Sequence, residues 1–126
     1  MIRAIRRALA VLVSALFVGS APVLGHHSGS IFDNSKSLTL TGTVKMFQWT
    51  NPHCFIQLLV PDGTASEEWS IEMGAPLQVY QAGWRPSTLK GGQKITVILH
   101  PMRDGSKAGL FVSATSEDGR PLGKQT

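Results

Sequence analysis

SLTLTGTVKMFQW, residues 37–49, is the stretch that decides the fold class. Leu38, Leu40, Val44 and Met46 share one parity. Thr39, Thr41, Thr43 and Lys45 share the other. Alternation with period two and enrichment in β-branched residues predict a long strand with one face toward a core. Gly42 interrupts it, as the bend or bulge of a barrel strand requires.

The same pattern recurs on the C-terminal side. Thr50-Asn51-Pro52 predicts a turn, because proline cannot donate to a ladder. A second strand, 53–60, sets Cys54, Ile56, Leu58 and Val60 against His53, Phe55, Gln57 and Leu59. Pro61-Asp62-Gly63 is turn chemistry. A third strand, 67–73, turns Trp69, Ile71 and Met73 inward and Glu68, Ser70 and Glu72 outward. Between Gly74 and Gly83 the period changes. Pro76 suits a first helical turn, and Leu77, Tyr80 and Trp84 recur at helical spacing, so a helix over 75–84 is predicted. A fourth strand, 93–100, carries Ile95, Val97 and Leu99 inward. A fifth, 108–115, places Leu110, Val112 and Ala114 on one side. Three strands, one helix and two strands match the order of an OB-type barrel. We therefore expect a mainly β protein: a five-stranded OB-like barrel with one short helix between strands 3 and 4. A small open sandwich is the alternative.

On the N-terminal side the chain reads as an export signal. Arg3, Arg6 and Arg7 precede an apolar run from Ala8 to Val18, broken only by Ser14, with no acidic residue. A basic start, a short apolar centre and small residues before the cut define a secretory leader. The run is shorter than the ~20 residues a membrane-spanning helix needs. Val23 at −3 and Gly25 at −1 predict cleavage before His26. A cut after Ala21 would leave Pro22 first. The expected organisation is thus a signal peptide at 1–25, an N-terminal arm at 26–36, a barrel at 37–118 and a polar tail at 119–126. A periplasmic or secreted location follows, with no transmembrane segment after cleavage.

Charge and cysteine content narrow the function. The chain has 126 residues and a formal net charge of +4. Losing the leader removes three arginines and leaves nine basic residues against eight acidic ones. The remaining lysines and arginines are scattered from Lys36 to Lys124, so no nucleic-acid partner is expected. One cysteine, Cys54, excludes an internal disulfide. It reads as a buried thiol, with an intermolecular bridge or a soft metal ligand as alternatives.

Four histidines are the most informative chemical feature. His26 and His27 would open the mature chain, where an α-amine and imidazoles can hold one ion. Nitrogen-rich sites of this kind favour Cu(II) over Zn(II). His53 follows Asn51-Pro52 at a strand start, and Glu72 and His100 share its outward parity. The candidate metal ligands are therefore His26, His27 and His53, with Glu72 and His100 behind them, and copper or zinc as the cofactor. Trp49, Phe55 and Trp84 are candidates for a ligand groove. No Gly-x-Ser-x-Gly elbow, phosphate loop, His-Glu-x-x-His or paired-cysteine motif is present, so no catalytic residue is assigned.

Six segments carry a resemblance: His26-His27-Ser28, Trp49-Thr50-Asn51-Pro52-His53, Glu72-Met73-Gly74-Ala75-Pro76, Gly83-Trp84, Leu89-Lys90-Gly91-Gly92 and His100-Pro101-Met102-Arg103-Asp104-Gly105. In this order and spacing the chain resembles a family of uncharacterised exported bacterial proteins, classed as a domain of unknown function. The resemblance implies a secreted or periplasmic β-rich domain and no established activity. Cys54 stands where many relatives have an aromatic residue or alanine. The function expected first is an exported small binding module with a histidine site for copper or zinc. The alternatives are a groove-binding module for a small ligand, glycan or protein partner, and a copper enzyme built on the N-terminal histidine.

Overall fold

The computed structural model describes residues 31–124. The leader, His26, His27 and the last two residues of the predicted tail lie outside them. Five strands and one helix follow in order: β1 (Leu38–Gln48), β2 (Phe55–Asp62), β3 (Ala65–Glu72), α1 (Pro76–Gln81), β4 (Lys94–Pro101) and β5 (Ala108–Ser116). They close into a barrel in the order β1-β2-β3-β5-β4. Every pairing is antiparallel except β3 with β5. This is the predicted mainly β, OB-like barrel with its helix between strands 3 and 4. Closure covers most strand edges, and residues 65–69 of β3 pair with β2 alone.

The barrel interior is filled by the alternate residues of each strand. Ile56, Leu58, Ile71, Val97 and Leu99 are wholly buried, with Val44, Ile95 and Ala114 beside them. Gly42 is buried where β1 crosses β2. An added Cβ there would collide with the main-chain oxygen of Leu59. This is the close backbone approach that a glycine within a strand pattern signals.

Two strands depart from strict alternation. In β1 the register shifts between Val44 and Met46. The extra residue flips the pattern, so Val44 is buried while Met46 is exposed, and Phe47 and Trp49 pack against the core instead. In β5 a second irregularity faces Ile98 and Leu99. Ser113 pairs with Ile98 and Phe111 with Leu99, which leaves Val112 unpaired. The predicted common face of Leu110, Val112 and Ala114 is therefore split. Ala114 is buried, whereas Val112 is exposed and Phe111 joins the core.

The helix also differs from expectation. It is one turn shorter at its C-terminal end than the predicted 75–84 span, because Ala82 and Gly83 already close it onto Gln78 and Tyr80. Val79 is its buried residue, whereas Leu77 is 67% and Tyr80 50% exposed. A six-residue helix lying across a barrel end needs only one inward side chain. Arg85 stacks on the exposed Tyr80 ring at 3.7 Å.

The segments flanking the barrel are built into it. Phe32 is buried and bridges to Met102. Asp33 N–H donates to Pro101 O at 2.8 Å, and Arg103 N–H to Ile31 O at 2.9 Å. At the other end Thr115 bridges Pro121, and Leu122 N–H donates to Ala114 O at 2.9 Å. Packing thus runs past residue 118, where the sequence reads as a polar tail.

Candidate binding site

β3 and β5 are parallel for only three pairs, from Ser70 with Ala108 to Glu72 with Leu110. Beyond that point β3 leaves through Met73 and Gly74 into α1, and β5 continues through its irregularity. The parting strands and the overlying helix frame a cavity of about 210 Å³ that opens to solvent. Met73, Val79, Ala82, Trp84, Phe111 and Val112 form its apolar wall. Gln78 and Lys124 supply the polar groups.

Each part of the wall has a local cause. Trp84 is 2% exposed and lies in a train of aromatic rings across this end of the barrel. Its ring centroid is 5.8 Å from Phe47 and 5.5 Å from Phe111, and Phe47 meets Trp49 edge-on at 5.8 Å. The C-terminal segment returns along the edge of β5 that β3 has vacated. Lys124 N–H donates to Ala82 O at 2.6 Å, tying that segment to the end of α1. Gly123 passes against the Trp84 indole with φ at 71°. An added Cβ would fall inside the indole ring's van der Waals surface.

The predicted aromatic groove is not assembled as expected. Trp84 is a core residue that walls the cavity from below. Trp49 is half-buried behind Phe47. Phe55 lies on the outer face, paired with Gln48 and Glu72. The three do not share one surface, because the β1 irregularity turns Trp49 toward the core while Phe55 keeps the outward parity of β2. Val79, Phe111 and Lys124 were missed in the sequence. Leu122, a lone apolar residue within a polar tail, is the signal that the tail docks.

The histidines separate into two places. His53 Nδ1 lies 2.8 Å from Glu72 Oε1. A carboxylate only accepts, so His53 Nδ1–H is the donor, and Nε2 is the ring nitrogen that Glu72 does not engage. The backbone of His53 is fixed too. Thr50 Oγ1 donates to His53 O at 2.7 Å, and Cys54 continues the β2–β3 ladder to Met73 and Gly74 at 2.9 Å. His100 Nδ1 instead meets Lys36 O at 2.7 Å. Leu110 of β5 lies between Glu72 and His100 in register. Two strand spacings separate them, about 10 Å. The expected convergence of His53, Glu72 and His100 therefore does not occur. Among the described residues no three metal-capable side chains meet. Cys54 is fully buried on the opposite face, and burial pushes its thiol pKa up. Such a thiol stays protonated and unreactive.

Fold and site together define a small closed β-barrel with an apolar cavity beneath its helix and a separate carboxylate-oriented histidine on its outer face. Residues 13–113 match the family of unknown function DUF6152, and the chain belongs to that family. No curated protein matches the chain. Among solved structures it is similar to the mitochondrial single-stranded DNA-binding protein Rim1 of S. cerevisiae. The identity is 11%, with 65% of this chain and 94% of that one covered and a TM-score of 0.49. That protein binds single-stranded DNA, which conflicts with the expectation of no nucleic-acid partner; the expectation is withdrawn, and the likeness assigns the chain no partner. The expectation rested on charges scattered along the sequence, and folding can gather such charges on one surface. Among the described residues no helix is long and apolar enough to cross a membrane.

Proposed function

We propose that the chain is an exported, periplasmic binding module that holds a small molecule in the cavity between β3, β5 and α1. The basic and apolar start of the sequence supports export. The observation that carries the binding proposal is the cavity itself, walled by apolar side chains and carrying two polar groups. Concave, mostly apolar sites with few polar groups are the usual form of a small-molecule site. Ala82 lies in the wall, so Ala82→Leu should fill the space. Titration with benzene-sized probes, followed by the indole fluorescence of Trp84, should saturate in the parent chain and not in Ala82→Leu. An equal response from both chains would refute the proposal.

A second function is favoured by one contact, His53 to Glu72. A histidine that donates Nδ1–H to a carboxylate and offers Nε2 is oriented as metal-ligating histidines are. In this version His53 joins His26 and His27 on copper, or on zinc with lower affinity. The test is a copper titration of the processed chain, of His53→Ala and of a form with one residue added before His26. Both variants should bind more weakly. Equal affinity in all three would remove the shared site.

A further inference from the structure

We infer that the cavity selects a small monocarboxylate with an apolar body; this rests on the cavity being a binding site. The size of the ligand follows from the volume. An apolar cavity of about 150 Å³ holds benzene. The space here, about 210 Å³, accommodates a body of that size together with a carboxylate.

The sign of the ligand follows from what the lining offers. Gln78 has already committed its oxygen. Oε1 accepts the Ala75 N–H at 3.0 Å. A side-chain amide oriented by that bond turns its NH₂ donor the other way. Lys124 lines the cavity as an exposed residue and brings a positive charge to its mouth, and among the described residues no carboxylate pairs with it. No acidic residue lines the cavity. Glu72 is only one residue before Met73, but it faces the outer side of β3, where His53 holds it. Gln78 and Lys124 thus bring donors to the lining, one of them charged. A ligand with acceptors and a negative charge satisfies both. A cationic ligand satisfies neither and meets Lys124.

Three ligands of one shape separate these possibilities: benzoate, benzamide and benzylamine. Each is titrated against the purified chain, against Lys124→Gln and against Ala82→Leu, by calorimetry or by NMR shift changes of the cavity residues. Benzoate should bind best and benzylamine worst. Lys124→Gln should weaken benzoate about fivefold, the effect of one partly exposed ion pair, and leave benzamide unchanged. Ala82→Leu should abolish both. If benzamide binds as tightly as benzoate, or Lys124→Gln leaves their ratio unaltered, the charge selection is wrong while the cavity site stands. If benzylamine binds best, the selection has the opposite sign and the inference also fails. If none of the three binds, or Ala82→Leu binds as the parent does, the cavity is not a site and both proposals fall.

Discussion

The two ends of this barrel are built on different terms. Around Gly42, Leu58, Trp69 and Val97 alternate residues of the strands point inward and are buried. Around Met73, Trp84 and Phe111 the strands part, two irregularities break the register, and large aromatic rings fill the opening incompletely. The comparison shows where such a fold can hold a ligand. The regular region is filled by its alternating side chains, and the cavity lies where strand pairing stops at Glu72 and Leu110.

The sharpest test of the contrast uses its tryptophans. Trp69 is 7% exposed within the regular face of β3. Removing so large a buried ring costs about 3–5 kcal/mol. Trp69→Ala should therefore lower the urea unfolding free energy by that amount. Trp49→Ala, at the half-buried edge of the aromatic train, should cost less than half as much. Equal losses would mean that the two ends are equally well packed.

Two glycines give the next test. At Gly42 an alanine methyl meets backbone held in a ladder on both sides, and overpacking of this kind costs about 1–3 kcal/mol. Gly42→Ala should reach the upper part of that range, seen as a lower melting temperature without a change in ligand binding per folded molecule. At Gly123 the methyl meets the Trp84 ring edge, and φ is positive. The terminal segment can peel away, so Gly123→Ala should cost about 1–2 kcal/mol and weaken benzoate binding more than it lowers stability. Intact binding in Gly123→Ala would detach the C-terminal segment from the site.

A smaller effect should appear on acidification. Hydrogen bonds from Ser35 lower the Asp33 pKa, those from Ser106 lower that of Asp104, and the Ser116 hydroxyl lowers that of Asp118. Each carboxyl is more acidic in the folded chain than in the unfolded one. The stabilisation they contribute is complete above the unfolded value of ~4 and is lost as pH falls through the lower folded values. Melting temperature should therefore decline modestly below pH ~4. Replacing Asp33, Asp104 and Asp118 together by asparagine should flatten that decline. An unchanged slope would show that these turns contribute nothing to acid sensitivity.

The smallest effect concerns α1. Leu77 faces solvent, so Leu77→Ser should change stability by no more than about 0.5 kcal/mol. A larger loss would mean that Leu77 packs against the barrel.

Much of the barrel was legible because a strand's side-chain period is two and turn residues punctuate the chain. Ser37 to Trp49, Pro61-Asp62-Gly63 and the Ile95-Val97-Leu99 alternation were enough to number the strands and place the helix. The pairing of His53 with Glu72 was legible in part, since both carried outward parity on neighbouring strands. The cavity was not. Its wall joins Met73, Val79, Phe111 and Lys124, from β3, α1, β5 and the C-terminal segment, and no periodicity relates residues that distant in the chain.

What the sequence alone determined is the order and number of the strands and the inward faces of β2, β3 and β4, because those depend on local sterics and on burying alternate apolar residues. Only the tertiary structure decided which strands part, where one extra residue turns Phe47 and Phe111 inward, and that a polar-looking tail docks on Trp84. Those outcomes depend on closing five strands into one cylinder. Closure relieves its misfit at the short β3–β5 seam, a property of the whole barrel that no single segment carries.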